Sequence, residues 1–196
     1  MVDRTKFMDR LEARLLRECT EAWAALDLQK GRQQGVLSWM LIDLALSTGL
    51  RVSEIERLNI EDFDCRRCAL AVRRSKKRKM TTETLPIGQD LGKHLKDYIE
   101  WTDRSSGPLF ASQRRDRMTR AGLQQCWKVA VKRAGLPKEL SIHSARHTIA
   151  VALLKKTGNL RQVQKMLGHS SPTITANLYA DVSFEDQQDS LNGLYQ

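Results

Sequence analysis

The sequence predicts a mainly helical chain with one small antiparallel β-sheet, an α+β domain. Three observations carry this. Apolar residues recur at helical spacing through most of the chain. Only two short segments read as extended, and both flank a single basic run. With 196 residues, 41% of them hydrophobic, the chain can bury the core of one large domain, and it shows no internal repeat or low-complexity linker.

Residues 4–26 read as a helix through Phe7, Leu11, Leu15 and Leu16, with charges spaced for ion pairs. A polar break over residues 29–35 ends it. Residues 36–47 are apolar nearly all round, the pattern of a buried helix, and Thr48-Gly49 stops that helix with Gly49 as the left-handed residue. A second short helix is expected over residues 53–58. Residues 69–73 and 83–87 read as strands, so the basic run between them becomes the tip of a hairpin. Residues 90–101 form an amphipathic helix. Thr119 caps another that reaches residue 134, with Leu123, Trp127, Ala130 and Ala134 on one face and Gly135 and Pro137 as its stop. Residues 142–156 are helical, with Ala145, Ile149, Leu153 and Leu154 toward the core. Asn159 caps a helix to Leu167 that Gly168 closes, and Pro172 opens a last one carrying Tyr179.

The net charge is +10, which points to a polyanionic partner. Six of the seven residues 73–79 are basic: Arg73, Arg74, Lys76, Lys77, Arg78 and Lys79. A second basic cluster holds Arg114, Arg115, Arg117 and Arg120, whereas the chain from Asp181 onward has four acids and no Lys or Arg. All nine of these basic side chains other than Lys76 are expected on a DNA-binding face. The longest apolar run, residues 36–46, is broken by Ser38 and Asp43 and is too short to span a bilayer. The N-terminus has no apolar signal region, and Cys19, Cys65, Cys68 and Cys126 make no dense disulfide framework, so a reducing cytoplasm is expected.

His143-Ser144-Ala145-Arg146-His147 is the most informative stretch. His143 and His147 have a zinc-ligand spacing, but position 144 lacks the glutamate of a zinc hydrolase, and Arg146 would place a cation beside the metal. Phosphate recognition fits better, because Arg supplies a two-pronged fork and His a donor or proton-transfer group. Cys65-Arg66-Arg67-Cys68 reads as a turn before the first strand, since Cys19 and Cys126 do not complete a metal site. Residues 88–94 superficially look like a phosphate-binding loop but are one residue short and end in His. Arg51 following a buried helix, His169 following a helix-ending glycine, and Tyr179 are each unremarkable alone.

Together, Arg51, His143-x-x-Arg146, Leu167-Gly168-His169 and Tyr179 stand in the order and spacing of the tyrosine recombinases, or phage-type integrases. The chain resembles that family from about residue 36 to residue 182, including Thr48-Gly49-Leu50 before Arg51, Ser53-Glu54 after it, and Thr175 before Tyr179. The resemblance implies the family's catalytic-domain fold over residues 1–182, with residues 183–196 as a tail that could exchange between protomers. It implies that Arg51, Arg146, His143 and His169 surround one DNA phosphate, and that Tyr179 is the nucleophile. Lys76 at the hairpin would be the general acid, with Lys77 or Lys79 as alternatives in the same run, and Glu54 and His147 would support the arginines. The implied activity is site-specific DNA cleavage and rejoining through a 3′-phosphotyrosyl link, without metal, cofactor or ATP, by a tetramer on double-stranded DNA in a prokaryotic nucleoid. Two alternatives use the same fold: a non-catalytic DNA-binding regulator, and type IB topoisomerase-like strand relaxation.

The chain departs from the family in two places. About 35 residues precede the matching region, too few for the N-terminal core-binding domain that clamps the far side of DNA in most members, so none is expected in this chain. Asp181 stands where many members have a His two residues after the tyrosine.

Overall fold

The computed structural model describes residues 7–76, 79–112 and 116–168. Among them, α1 (Arg10–Gln29), α2 (Gln34–Thr48), α3 (Val52–Glu56), a 3-10 turn (Ile60–Asp62), β1 (Phe63–Asp64), β2 (Ala69–Lys76), β3 (Lys79–Pro86), α4 (Gln89–Trp101), α5 (Arg120–Arg133), α6 (Ile142–Thr157) and α7 (Leu160–Leu167) follow in order. The sheet is antiparallel with strand order β1-β2-β3. No helix among the described residues is long and apolar enough to cross a membrane.

The core is built around α2. Its apolar residues face every direction, and Met40, Leu41, Ile42 and Leu44 are fully buried, because α1, α4, α5 and α6 pack on it from different sides. Each such side chain contributes about 1.5–3 kcal/mol by leaving water. The one carboxylate inside α2, Asp43, is buried but paired: Arg17 of α1 lies 3.1 Å away and the Nδ1 of His94 on α4 lies 2.9 Å away. This ties three helices together and answers the desolvation cost of the charge. The N-terminus of α2 has a similar device, since the Asp27 carboxylate of α1 accepts the Gly35 N–H at 2.8 Å.

Helix α1 differs from the expectation. It starts at Arg10 because Asp9 caps it, accepting the Glu12 N–H at 2.8 Å while the Glu12 carboxylate accepts the Asp9 N–H. Of the expected apolar stripe only Leu16 is buried. Leu11 and Leu15 are exposed, and the packed face runs instead through Leu16, Thr20, Trp23, Ala24 and Asp27. The expected hairpin strands are both longer than their apolar cores. Their pairing runs without a break from Ala69 opposite Pro86 to Lys76 opposite Lys79, so most of the basic run lies within the strands, not at the tip. Cys65 and Cys68 begin and end the turn between β1 and β2, and β1 is a two-residue strand that sequence periodicity could not register. Trp127 closes the α5 side of the core, donating its indole N–H to the Leu140 carbonyl at 3.0 Å. A smaller cluster of Ala150, Leu154, Val163 and Leu167 holds α7 against α6.

Candidate active site

The site forms where four chain segments converge: the end of α2, the start of α3, α6 and the end of α7. Gly49 closes α2 with φ +64, and a Cβ there would lie 2.5 Å from Ile149 Cγ2 and 2.7 Å from Leu167 Cδ2. A glycine is therefore needed twice over, for the left-handed backbone and for the close approach of α6 and α7. The chain then turns so that Arg51 becomes the residue preceding α3, with extended backbone angles. Glu54, one turn on, holds it at both ends. One carboxylate oxygen accepts the Arg51 backbone N–H at 2.9 Å, and the other accepts its guanidinium Nη1 at 2.9 Å. Glu54 is only 4% exposed and Arg51 38%, so the carboxylate is fixed inside and the guanidinium reaches the surface.

Arg146 lies on α6 and is buried. Its Nη1 donates to the Gly49 carbonyl and its Nη2 to the Leu167 carbonyl, each at 2.7 Å. These carbonyls belong to the last turns of α2 and α7, so Arg146 satisfies helix-end acceptors that have no partner within their own helices. Burial pushes the Arg146 guanidinium down to about 10, and repulsion by Arg51 and Arg74 pushes the same way against the attraction of Glu54. It remains charged at neutral pH, and it is a cation held at a cost. His143, one turn before Arg146 on α6, is exposed, and His147 is half-buried.

The structure thus brings together Arg51, Glu54 and Arg146, with His143 and His147 on the same helix as Arg146. It also adds Arg74, which the sequence placed on a DNA-facing hairpin. Arg74 is 3% exposed, its Nη2 donates to the Met166 carbonyl at 2.7 Å, and its Nε lies 3.8 Å from Glu54. The signal was present in the strand alternation: Leu70, Val72 and Arg74 occupy one face of β2, and the first two are fully buried. The other expected DNA contacts also differ in part. Arg73 grips Asp62 with both terminal nitrogens, at 2.6 and 2.9 Å, and donates to the Arg57 carbonyl. Arg117 donates to the Glu56 and Leu58 carbonyls and to Asn59 Oδ1, while the exposed Arg120 pairs with Glu56 at 3.3 Å. Lys79 is exposed at the start of β3. The Lys76 backbone ends β2. Lys77, Arg78, Arg114, Arg115, His169 and Tyr179, together with the expected last helix and tail, lie outside the described residues. Among the described residues no group of three or more His, Cys, Asp or Glu is placed to hold a metal ion.

The family model described as the phage integrase family matches residues 14–186, most of the chain. The chain belongs to the phage integrase family. A tyrosine recombinase XerA of Pyrococcus furiosus is 31% identical over 147 residues, covering 74% of this chain and 50% of that protein. A tyrosine recombinase XerD of Oceanobacillus iheyensis is 30% identical, covering 81% of this chain and 54% of its own. The chain spans about half the length of the curated relatives it matches. Among solved structures, a crystal structure of XerA recombinase matches with a TM-score of 0.77 at 24% identity, over 97% of this chain and 65% of that one. A XerH recombinase bound to a palindromic difH substrate matches with a TM-score of 0.73 at 21% identity, over 97% and 54%. These likenesses show that the helical domain with its small sheet is the tyrosine recombinase catalytic-domain fold.

Proposed function

We propose that this integrase-family chain is the catalytic part of a site-specific DNA recombinase. The observation that carries this reading is the buried Arg146 held beside Arg51 and Glu54, with His143 one turn away on α6. A phosphodiester under attack gains negative charge on its non-bridging oxygens. Two preorganised guanidinium groups stabilise that charge without reorganising at the moment of reaction. In this reading the Tyr179 hydroxyl releases its proton to solvent as Oη attacks the phosphorus, a 3′-phosphotyrosyl bond forms, and the bond to the 5′ oxygen breaks. Lys76 gives that oxygen its proton, and His143 and His169 complete the phosphate's surroundings. A free tyrosine has a pKa near ~10, so it needs this cationic site to attack at neutral pH. The phosphotyrosyl bond retains the energy of the DNA backbone, so rejoining requires no ATP.

Lys77, Arg78, Lys79, Arg114, Arg115 and Arg120 are the proposed contacts to the DNA backbone, in a tetramer assembled on double-stranded DNA in the cytoplasm, at the nucleoid. The relatives' printed names and the bound DNA in several of the matching structures support this substrate class. The test is incubation with a pool of randomised nicked duplexes in the presence of chelator, followed by a search for an SDS-resistant protein–DNA adduct. The wild-type chain is expected to give the adduct and Tyr179→Phe to give none while still binding DNA. No adduct with DNA binding retained would favour the non-catalytic regulator and overturn the proposal. Sequencing the trapped DNA would show a site, whereas adducts without sequence preference would favour topoisomerase-like relaxation.

A further inference from the structure

Arg74 stands apart from the other described cations of the hairpin, Arg73 and Lys79. It lies on β2 two residues before Lys76, and it is one of the least exposed charged side chains described. Its guanidinium joins three elements. Nη1 donates to Glu83 Oε2 of β3 at 3.0 Å, Nη2 donates to the Met166 carbonyl in the last turn of α7 at 2.7 Å, and Nε faces Glu54 at 3.8 Å without a hydrogen-bond partner. The end of α7 is shaped to this group: Gly168 has φ +63, and a Cβ there would run into the Arg74 guanidinium. Burying a charge with one nitrogen unsatisfied is a poor way to stabilise a sheet, and an apolar side chain would do so at lower cost. What a guanidinium supplies is a rigid planar fork that sets the distance between the groups it holds.

We propose that Arg74 is a positioning residue for strand cleavage. By holding the Met166 carbonyl to the hairpin, it locks β2, which ends at Lys76, to the turn after which His169 follows. The proton donor and the phosphate-binding cations then keep one spacing. Arg74 is enclosed by protein groups on each of these sides, so it acts through the backbone it holds and not by touching DNA. This inference rests on Lys76 acting as the general acid.

The experiment compares two nicked duplexes, of a sequence recovered by the trapping selection, that differ in one atom: the bridging 5′ oxygen at the scissile phosphate is kept or replaced by sulfur. A thiolate leaves without being protonated, because a thiol is far more acidic than an alcohol. Lys76→Ala and Arg74→Met are both expected to lose at least tenfold in cleavage rate on the oxygen substrate. Both should return to within a few fold of wild type on the sulfur substrate, with thermal melting and DNA retention unchanged. Wild-type cleavage of the oxygen substrate by Arg74→Met, or an equal loss on both substrates, overturns the proposal. If Lys76→Ala is not rescued by sulfur, the general-acid reading itself fails and the proposal with it. If only Arg74→Met is not rescued, the acid stands and the positioning role falls. Glu83→Gln provides the second variant should Arg74→Met not fold, because Glu83 is partly exposed and the change leaves Arg74 in place. It is expected to show a severalfold loss confined to the oxygen substrate; unchanged rates on both would then overturn the proposal.

Discussion

Replacing Arg146 by Met separates what the fold needs from what the chemistry needs. The Arg146 guanidinium is depressed well below the ordinary arginine range, to about 10, chiefly by burial and next by Arg51. At 1.36 kcal/mol per unit, holding its charge costs the folded chain about 3 kcal/mol. In return, two charged hydrogen bonds to the Gly49 and Leu167 carbonyls stabilise the fold by roughly 1–2 kcal/mol each. Arg146→Met, of similar length and without charge, relieves that cost but leaves both buried carbonyls without this donor, at about 1–3 kcal/mol each, so it is expected to lower unfolding free energy in urea by no more than about 3 kcal/mol. Adduct formation should fall by a factor of at least ~10²–10³ if Arg146 supplies the preorganised charge proposed for the phosphate. The pH dependence has a definite sign. The folded pKa lies below the unfolded one, so the unfolded chain binds more protons from about pH 10 up to the ordinary arginine range, and stability rises with pH only there. Below that window both states carry the charge and the cost is constant. The difference between wild type and Arg146→Met should thus be flat from about pH 6 to 9. A loss above about 3 kcal/mol would refute the reasoning, because it would mean that the charge holds the fold together and is not held by it.

Two further outcomes are expected. Gly49→Ala places a methyl against Ile149 and Leu167 at a left-handed position, and should destabilise the chain by about 2–4 kcal/mol in urea denaturation; a loss under 1 kcal/mol would show that α6 and α7 yield easily there. Arg73→Gln leaves the buried Asp62 carboxylate without its ion-pair partner, and should cost about 1–3 kcal/mol of stability while leaving the salt dependence of DNA binding unchanged. A salt slope reduced by about one would instead return Arg73 to the DNA-binding face.

Several helices were legible because they carry their own start or stop signals. Thr119 caps α5, Asn159 caps α7, and Gly49, Gly158 and Gly168 close helices in left-handed conformations, all through hydrogen bonds within a few residues. The motif around Arg51, Glu54 and Arg146 was legible as well, since spacing along a chain survives whatever packs on it. The packed face of α1 was not, because Leu11 and Leu15 satisfy helical periodicity as well as Leu16 does, and only the neighbouring helix selects which stripe is covered. β1 was missed because two residues carry no period.

By itself, then, the sequence determined the helices and the hairpin strands, the family and the order of the chemistry-bearing residues, all of which depend on local backbone preference and spacing. Tertiary structure alone decided where Arg73, Arg74 and Lys79 of the basic run are placed. Arg73, Arg74 and Lys79 look equivalent in a string of charges. Yet in the fold one grips Asp62, one is buried between Glu83 and the Met166 carbonyl, and one stands exposed. The difference arises because a strand sends successive side chains to opposite faces, and what meets each face comes from segments up to 92 residues away.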